Sequence, residues 1–166
     1  YAQLDGVGAV GAKLYFPDDT IQHAGVILRG GGKGAKPAMS SHKFFPRHDG
    51  GYFGYLHTTR NLSVVTGACL LTHRELYREV GGLDERLAVA YNDVDYCLKL
   101  RSAGYRIVWT AEAELYHYES ASRARDKEGD ERWELEKLRM QEKWGTALCN
   151  DPYYNPNLSL NHTNFM

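Results

Sequence analysis

The stretch AYNDVDYCLKLRSAGYRIVW, residues 90–109, constrains the fold most, because it places a helix and a strand one glycine apart. Apolar side chains recur at helical spacing between Val94 and Leu100. Gly104 stands where helices commonly end in a left-handed residue. YRIVWTAEAELYHYE, residues 105–119, then reads as one or two strands, rich in β-branched and aromatic residues. A helix delivered so directly into a strand predicts an α/β chain with helices packed on a sheet.

The preceding sequence carries the same mixture. GVGAVG, residues 6–11, matches the dinucleotide-binding pattern G-x-G-x-x-G in its letters. That motif needs a strand before it and a helix after it. Here only five residues precede it, and AKLYF with a Pro17-Asp18-Asp19 turn follows. The glycines are therefore placed in or beside a strand with Val10, Ala12 and Leu14 on one face, and TIQHAGVIL, residues 20–28, returns as its hairpin partner. SVVTGACLLT, residues 63–72, has the pattern of a buried central strand. HRELYREV continues it as a short amphipathic helix stopped by Gly81-Gly82, and residues 126–144 predict a helix docking through Trp133, Leu138 and Trp144. The tail, about 150–166, is rich in Asn and Pro and reads as irregular, and one domain over 1–166 is the simplest account.

Residues 29–57 form a glycine-rich segment too long to be a plain connection, and G-x-x-x-x-G-K-[ST] is not present in register. Two readings stand: a flexible surface loop, or a lid carrying Lys33, Lys36 and His42 over an anionic ligand. Twenty basic against 21 acidic side chains give no global field to attract nucleic acid or an anionic membrane. Cys69, Cys97 and Cys149 are odd in number and scattered, which predicts buried, reduced thiols in a cytosolic setting. No apolar run approaches the roughly 20 residues that cross a bilayer.

The chemistry concentrates in Asn92-Asp93-Val94-Asp95. With Asn92 as N-cap, a rotation of about 100° per residue puts Asp93, Val94, Cys97 and Arg101 on one broad face, and Asp95, Lys99 and Ser102 on the other. The two carboxylates then diverge too far to share a cation. Asp95 is accounted for by capping and by pairing with Lys99 on an exposed face. Asp93 is left facing inward with no structural task, at a helix end that favours the ionised form a general base requires. The competing reading is a first-turn Asp that only complements the helix dipole.

VGAVGAKLYFPDDTIQHAG, VTGACLLTHRELYREVGGLDERLAVAYNDVDYCLKLRSAGYRI, AELYHYESASR, RWELEKLRMQEKWG and DPYYNPNLS occur in this order. Together they resemble the C-terminal half of a bacterial family-two glycosyltransferase of the GT-A fold, the kind that builds surface polysaccharides. The resemblance implies a mixed sheet flanked by helices, a nucleotide-sugar donor and a glycan or lipid-linked acceptor. It also implies a cytoplasmic location at the inner face of the membrane and no nucleic-acid partner. In such enzymes the acidic residue matching Asp93 is the catalytic base of an inverting transfer. Thr66, Gly67, Ala68, Asp84, Tyr91 and Asn92 match the acceptor side. His117 matches a histidine that ligates Mn²⁺ or Mg²⁺ or faces the diphosphate, the alternative being a structural histidine. Arg123 matches a donor-diphosphate ligand, the alternative being a surface pair with Glu119. Lys99 and Thr110-Ala111 depart mildly from the family's Arg and Thr-Pro.

The family's nucleotide-binding half, with its Asp-x-Asp metal motif, has no counterpart in these 166 residues. The expectation is a chain that does not turn over a nucleotide sugar alone and that self-associates through an exposed sheet edge. A second reading is a non-catalytic carbohydrate-binding or scaffold module of the same fold. A third, a metal-dependent hydrolase built on His23, His117 and the carboxylates, has no recognisable ligand spacing.

Overall fold

The computed structural model describes residues 1–30, 35–118 and 130–166. Strand β1 (Val7–Tyr15) is its axis. Strand β7 (Arg106–Tyr116) runs parallel to β1, from Val7 opposite Arg106 to Tyr15 opposite Tyr116, with an irregularity between Ala12 and Lys13. On the other side of β1 lie β2 (Ile21–His23), with Leu14 opposite His23, and β6 (Leu70–Thr72), with Ala9 opposite Thr72, both antiparallel. Strand β5 (Arg60–Leu62) pairs antiparallel with β7. Helices α1 (Arg74–Glu79), α2 (Asn92–Ser102) and α3 (Glu131–Trp144) complete a mixed α/β arrangement, as the element order predicts. A second small sheet pairs β3 (Val26–Leu28) with β4 (Ala38–Ser40).

The glycines of GVGAVG have a packing explanation. A Cβ on Gly11 would lie 2.5 Å from Val65 Cβ, and one on Gly8 would lie 2.7 Å from Tyr105 Cβ. Their bare surfaces let the chain around Val65, and the end of α2 with Tyr105, press directly onto β1. That is why both faces of β1 are buried, with only Val10 half-buried, where the alternation predicts one buried face. Gly11→Ala is therefore an overpacking substitution. It should lower stability by about 1–3 kcal/mol, and since a domain of this size loses roughly 2–4 °C per kcal/mol, a thermal melt will read it.

Four other expectations change. TIQHAGVIL splits at Gly25, whose φ of 98° and close approach to Leu62 (2.1 Å from an added Cβ) turn the chain away from the main sheet into β3. SVVTGACLLT is not one central strand: Ser63, Val64 and Val65 are buried, but Thr66-Gly67-Ala68 turns outward before the short β6. Helix α3 docks through Met140, Glu136 and half-buried Trp133 and Trp144, while Leu138 faces outward. Of the cysteines, all free, Cys97 is buried, Cys69 half-buried and Cys149 exposed, because only Cys97 lies on the covered face of a helix.

The tail has no regular element after Leu148, yet it is firmly held. Phe165 is buried against the rings of His42, Tyr55 and Tyr154, and the Asp151 carboxylate accepts from the Leu28 N–H and the Ser63 hydroxyl. His42 is thus wrapped in aromatic rings and does not serve as a lid residue; Lys36 is exposed, and Lys33 lies outside the described residues.

Candidate functional site

The first turn of α2 faces the Thr66-Gly67-Ala68 turn, and the sequence explains why they meet. Gly11 admits Val65 onto β1. The Cys97 thiol then points at the Val65 carbonyl (3.7 Å), and burial pushes that thiol up to about 12. Beyond Val65 the chain emerges as a small-residue turn whose polar groups are used one by one. Thr66 N–H donates to His23 Nε2 (3.3 Å), Ala68 N–H to Thr66 Oγ1 (3.3 Å) and Gly67 N–H to Asp93 Oδ2 (2.9 Å). Asp93 Oδ1 accepts from the Val94 N–H (2.8 Å). Asp93 therefore does have a structural task, contrary to the expectation: it ties the turn to the helix. Its half-buried carboxylate still meets solvent beside the exposed Gly67 and Ala68.

The helix starts one residue earlier than expected. Tyr91, not Asn92, is the N-cap; it has a left-handed φ of 62° and packs edge-on against Trp133 at 5.8 Å. Its carbonyl accepts the first helical bond, from Asp95 N–H (2.9 Å). Asn92 is the half-buried first helical residue beside Asp93. Gly67 contacts Asp93, Thr66 and Ala68 are its chain neighbours in the turn, and Tyr91 and Asn92 precede Asp93 in the chain. The contacts of Asp84 lie elsewhere: its carboxylate accepts from Arg86 (2.9 and 2.8 Å) and pairs with Lys143 (3.3 Å), and the Arg86 hydrogen bond holds it well below the usual carboxylate range.

Asp95 departs furthest from its sequence reading. Its side chain is fully buried, not on an exposed face. Lys99 lies 3.0 Å from one carboxylate oxygen, while Lys143 (2.7 Å) and Trp144 Nε1 (2.8 Å) address the other. The expected partner Lys99 is present, but the end of α3 covers the whole group.

His117 follows β7, and its N–H extends the ladder to the Tyr15 carbonyl (3.0 Å). Gln22 Nε2 donates to the His117 carbonyl (3.0 Å), which turns Gln22 Oε1 toward His117 Nδ1 at 2.7 Å. An oxygen there accepts, so Nδ1 carries the proton and Nε2 presents a lone pair. This anchored tautomer fits what a metal-ligating histidine needs. Among the described residues no three His, Cys, Asp or Glu side chains gather as a metal cluster, so this chain's described part offers His117 as a single ligand. The described contacts of His117 and Asp93 share no residue. Arg123 and Glu119 lie outside the described residues.

Sequence reasoning named His23 only in the hydrolase reading and connected neither it to the Thr66 turn nor Gln22 to His117. The available signal was two polar residues in a strand with no exposed position. Burial drives the His23 imidazole down to about 3 and that of His42 down to about 4. Between those values and the ordinary histidine range near 6.5, the unfolded chain binds protons that the folded chain does not. Stability should therefore be intact above about pH 6.5 and fall as pH drops toward 4, by up to about 1.4 kcal/mol per pH unit for each histidine. Urea denaturation at pH 7 and pH 5 checks it; equal midpoints would contradict the burial of both rings.

Over 99% of its length the chain is 48% identical to protein y4gI of Sinorhizobium fredii, of which it covers 18%. Over 98% of its length it is 40% identical to the O-antigen biosynthesis protein RfbC of Myxococcus xanthus, of which it covers 12%. A 67-residue stretch, 40% of the chain, is 37% identical to the N-acetylglucosaminyl-diphospho-decaprenol L-rhamnosyltransferase of Mycobacterium tuberculosis, covering 22% of that protein. One relative is named for O-antigen biosynthesis and another for rhamnosyl transfer. The chain spans less than a quarter of the length of each of these curated relatives. No family model and no solved structure matches it. No helix among the described residues is long and apolar enough to cross a membrane.

Proposed function

We propose that this chain is the acceptor-side part of an inverting glycosyltransferase of the GT-A type, acting at the inner face of the membrane in surface-polysaccharide synthesis. The reading rests on one observation above all: the half-buried Asp93 carboxylate at the start of α2, fixed by the Gly67 and Val94 N–H groups beside an exposed turn of small residues. The names of the relatives support the class of reaction. In this reading Asp93 takes the proton of an acceptor hydroxyl as its oxygen attacks the anomeric carbon, and the nucleoside diphosphate departs from the opposite face. Gly67 and Ala68 are small and exposed, with half-buried Thr66 beside them, so the backbone of this turn can meet a sugar closely. His117, with Nδ1 anchored by Gln22 and Nε2 as the unprotonated nitrogen, would hold Mn²⁺ or Mg²⁺ together with ligands from elsewhere. Such an ion, when bound, supplies positive charge against the leaving diphosphate. Arg123 is assigned to the diphosphate from the resemblance of the sequence alone.

The test is transfer by the polypeptide that carries this chain, supplied with Mn²⁺ or Mg²⁺, lipid-linked acceptors and a panel of nucleotide sugars headed by deoxyhexose donors. Sugar incorporation with inversion at the anomeric carbon is expected. Glycan binding without transfer from any donor would favour the non-catalytic carbohydrate-binding module.

A further inference from the structure

We infer that His23 is a positioning residue for Asp93, acting through the Thr66 turn: its imidazole Nε2 fixes the Thr66 N–H, and the turn so fixed presents the next N–H, that of Gly67, to the Asp93 carboxylate. The catalytic part of this inference rests on the transferase reading; the hydrogen-bond relay itself does not.

The relay follows from how the turn is held. Its anchors on the helix side are Asp93, on Gly67 N–H, and Cys97, on the Val65 carbonyl. From the sheet side, β1 gives only van der Waals clearance, through Gly11 beneath Val65. The one polar contact described between the β1–β2 hairpin and the turn is His23 Nε2 to Thr66 N–H at 3.3 Å. His23 is itself rigidly placed: it is buried, it stands opposite Leu14 in the ladder, and the tight turn at Gly25 follows two residues later. Because a backbone N–H can only donate, Nε2 must be the unprotonated nitrogen, so the ring serves as a neutral acceptor. Protonation there would set two donors face to face. Among neutral side chains, Gln places an acceptor oxygen closest to the position of Nε2, whereas Asn stops at the position of Nδ1.

The same geometry accounts for residues that otherwise lack a role. Thr66 Oγ1 accepts the Ala68 N–H, so the turn is closed locally, but nothing local orients the Thr66 N–H or the Gly67 N–H. Two side chains from different parts of the chain take one each. His23 takes the first and Asp93 the second, so a shift of the turn at Thr66 is transmitted by one peptide unit to the carboxylate.

Amide hydrogen exchange of the chain measures the relay without any enzymatic assay. Gly67 is exposed, so protection of its amide reports the bond to Asp93 and not general burial. In His23→Asn and His23→Leu the Gly67 amide is expected to exchange roughly tenfold faster, while the core amides of β1 and β7 keep their protection; a tenfold change corresponds to about 1.4 kcal/mol of lost local stability. His23→Gln should restore the wild-type rate. In the transfer assay the same two variants should lower kcat and, because the turn also meets the acceptor, raise acceptor KM, and His23→Gln should recover both. Unchanged exchange at Gly67 in both variants, or a uniform loss of protection through the core with no recovery in His23→Gln, would overturn the relay. A relay seen by exchange in a protein that transfers no sugar would remove the transferase reading and leave the positioning intact.

Discussion

Asp93→Asn should abolish most sugar transfer while leaving the fold and the donor site in place. Removal of a positioned general base typically costs a factor of about 10²–10⁴ in rate, and asparagine at neutral pH accepts no proton. The choice of asparagine follows from the contacts of Asp93, which accepts from Gly67 N–H through one oxygen and from Val94 N–H through the other. The amide can keep the first bond but presents an NH₂ group to the second, so one bond is lost. That loss amounts to about 0.5–1.5 kcal/mol of stability, small enough for the variant to fold. Turnover with saturating acceptor, nucleotide-sugar affinity by calorimetry and a thermal melt separate the two effects. A rate within threefold of wild type would remove Asp93 from the catalytic role and leave it as the tie between turn and helix.

Much of this region was legible in the chain because its signals were local. The helix expected from Asp93, its stop at Gly104 and the strand after it follow from periodicity and glycine position, and α2 and β7 occupy those places with α2 starting one residue early, at Asn92. The G-x-G-x-x-G letters were separable from a nucleotide loop by context alone, and Gly8 and Gly11 prove to be clearance for Tyr105 and Val65. What was not legible depended on partners distant in sequence. Asp95 reads as exposed from helical rotation, but rotation cannot show that Trp144, 49 residues away, closes over it. The run 63–72 reads as one strand because it is nearly continuous in β-branched and apolar residues, yet the chain breaks at the turn whose Gly67 N–H is taken by Asp93. His42 reads as a loop histidine because it lies within a glycine-rich segment, and the rings of Phe45, Tyr55 and Phe165, the last returning from the tail, enclose it. Asp93 and Gly67 were each picked out from sequence, but the bond between them was not.

The buried Asp95 carries the largest expected effect on stability. Asp95→Ala strips a fully buried carboxylate from beneath Lys99, Lys143 and Trp144. Breaking a buried ion pair by removing one partner costs about 3–5 kcal/mol, because the remaining charges stay desolvated. Two features pull this case toward the lower end: Lys99 keeps its bond to the Gly82 carbonyl (2.8 Å), and Lys143 keeps its pairing with Asp84 (3.3 Å). An expected loss of about 3 kcal/mol at roughly 2–4 °C per kcal/mol lowers the melting temperature by about 6–12 °C. Asp95→Asn should lose roughly half as much, since the amide oxygen can still accept from Trp144 Nε1 while no longer balancing two ammonium groups. The two lysines differ in reach: Lys143 stands 2.7 Å from Oδ1 and Lys99 3.0 Å from Oδ2, so Lys143 makes the closer ion pair. Lys143→Met should therefore destabilise more than Lys99→Met. Melting temperatures of the four variants decide it. If Asp95→Ala melts within 2 °C of wild type, or if the lysine order is reversed, this node does not lock α3 onto the start of α2, and the environment of Asp93 must be held by the turn alone.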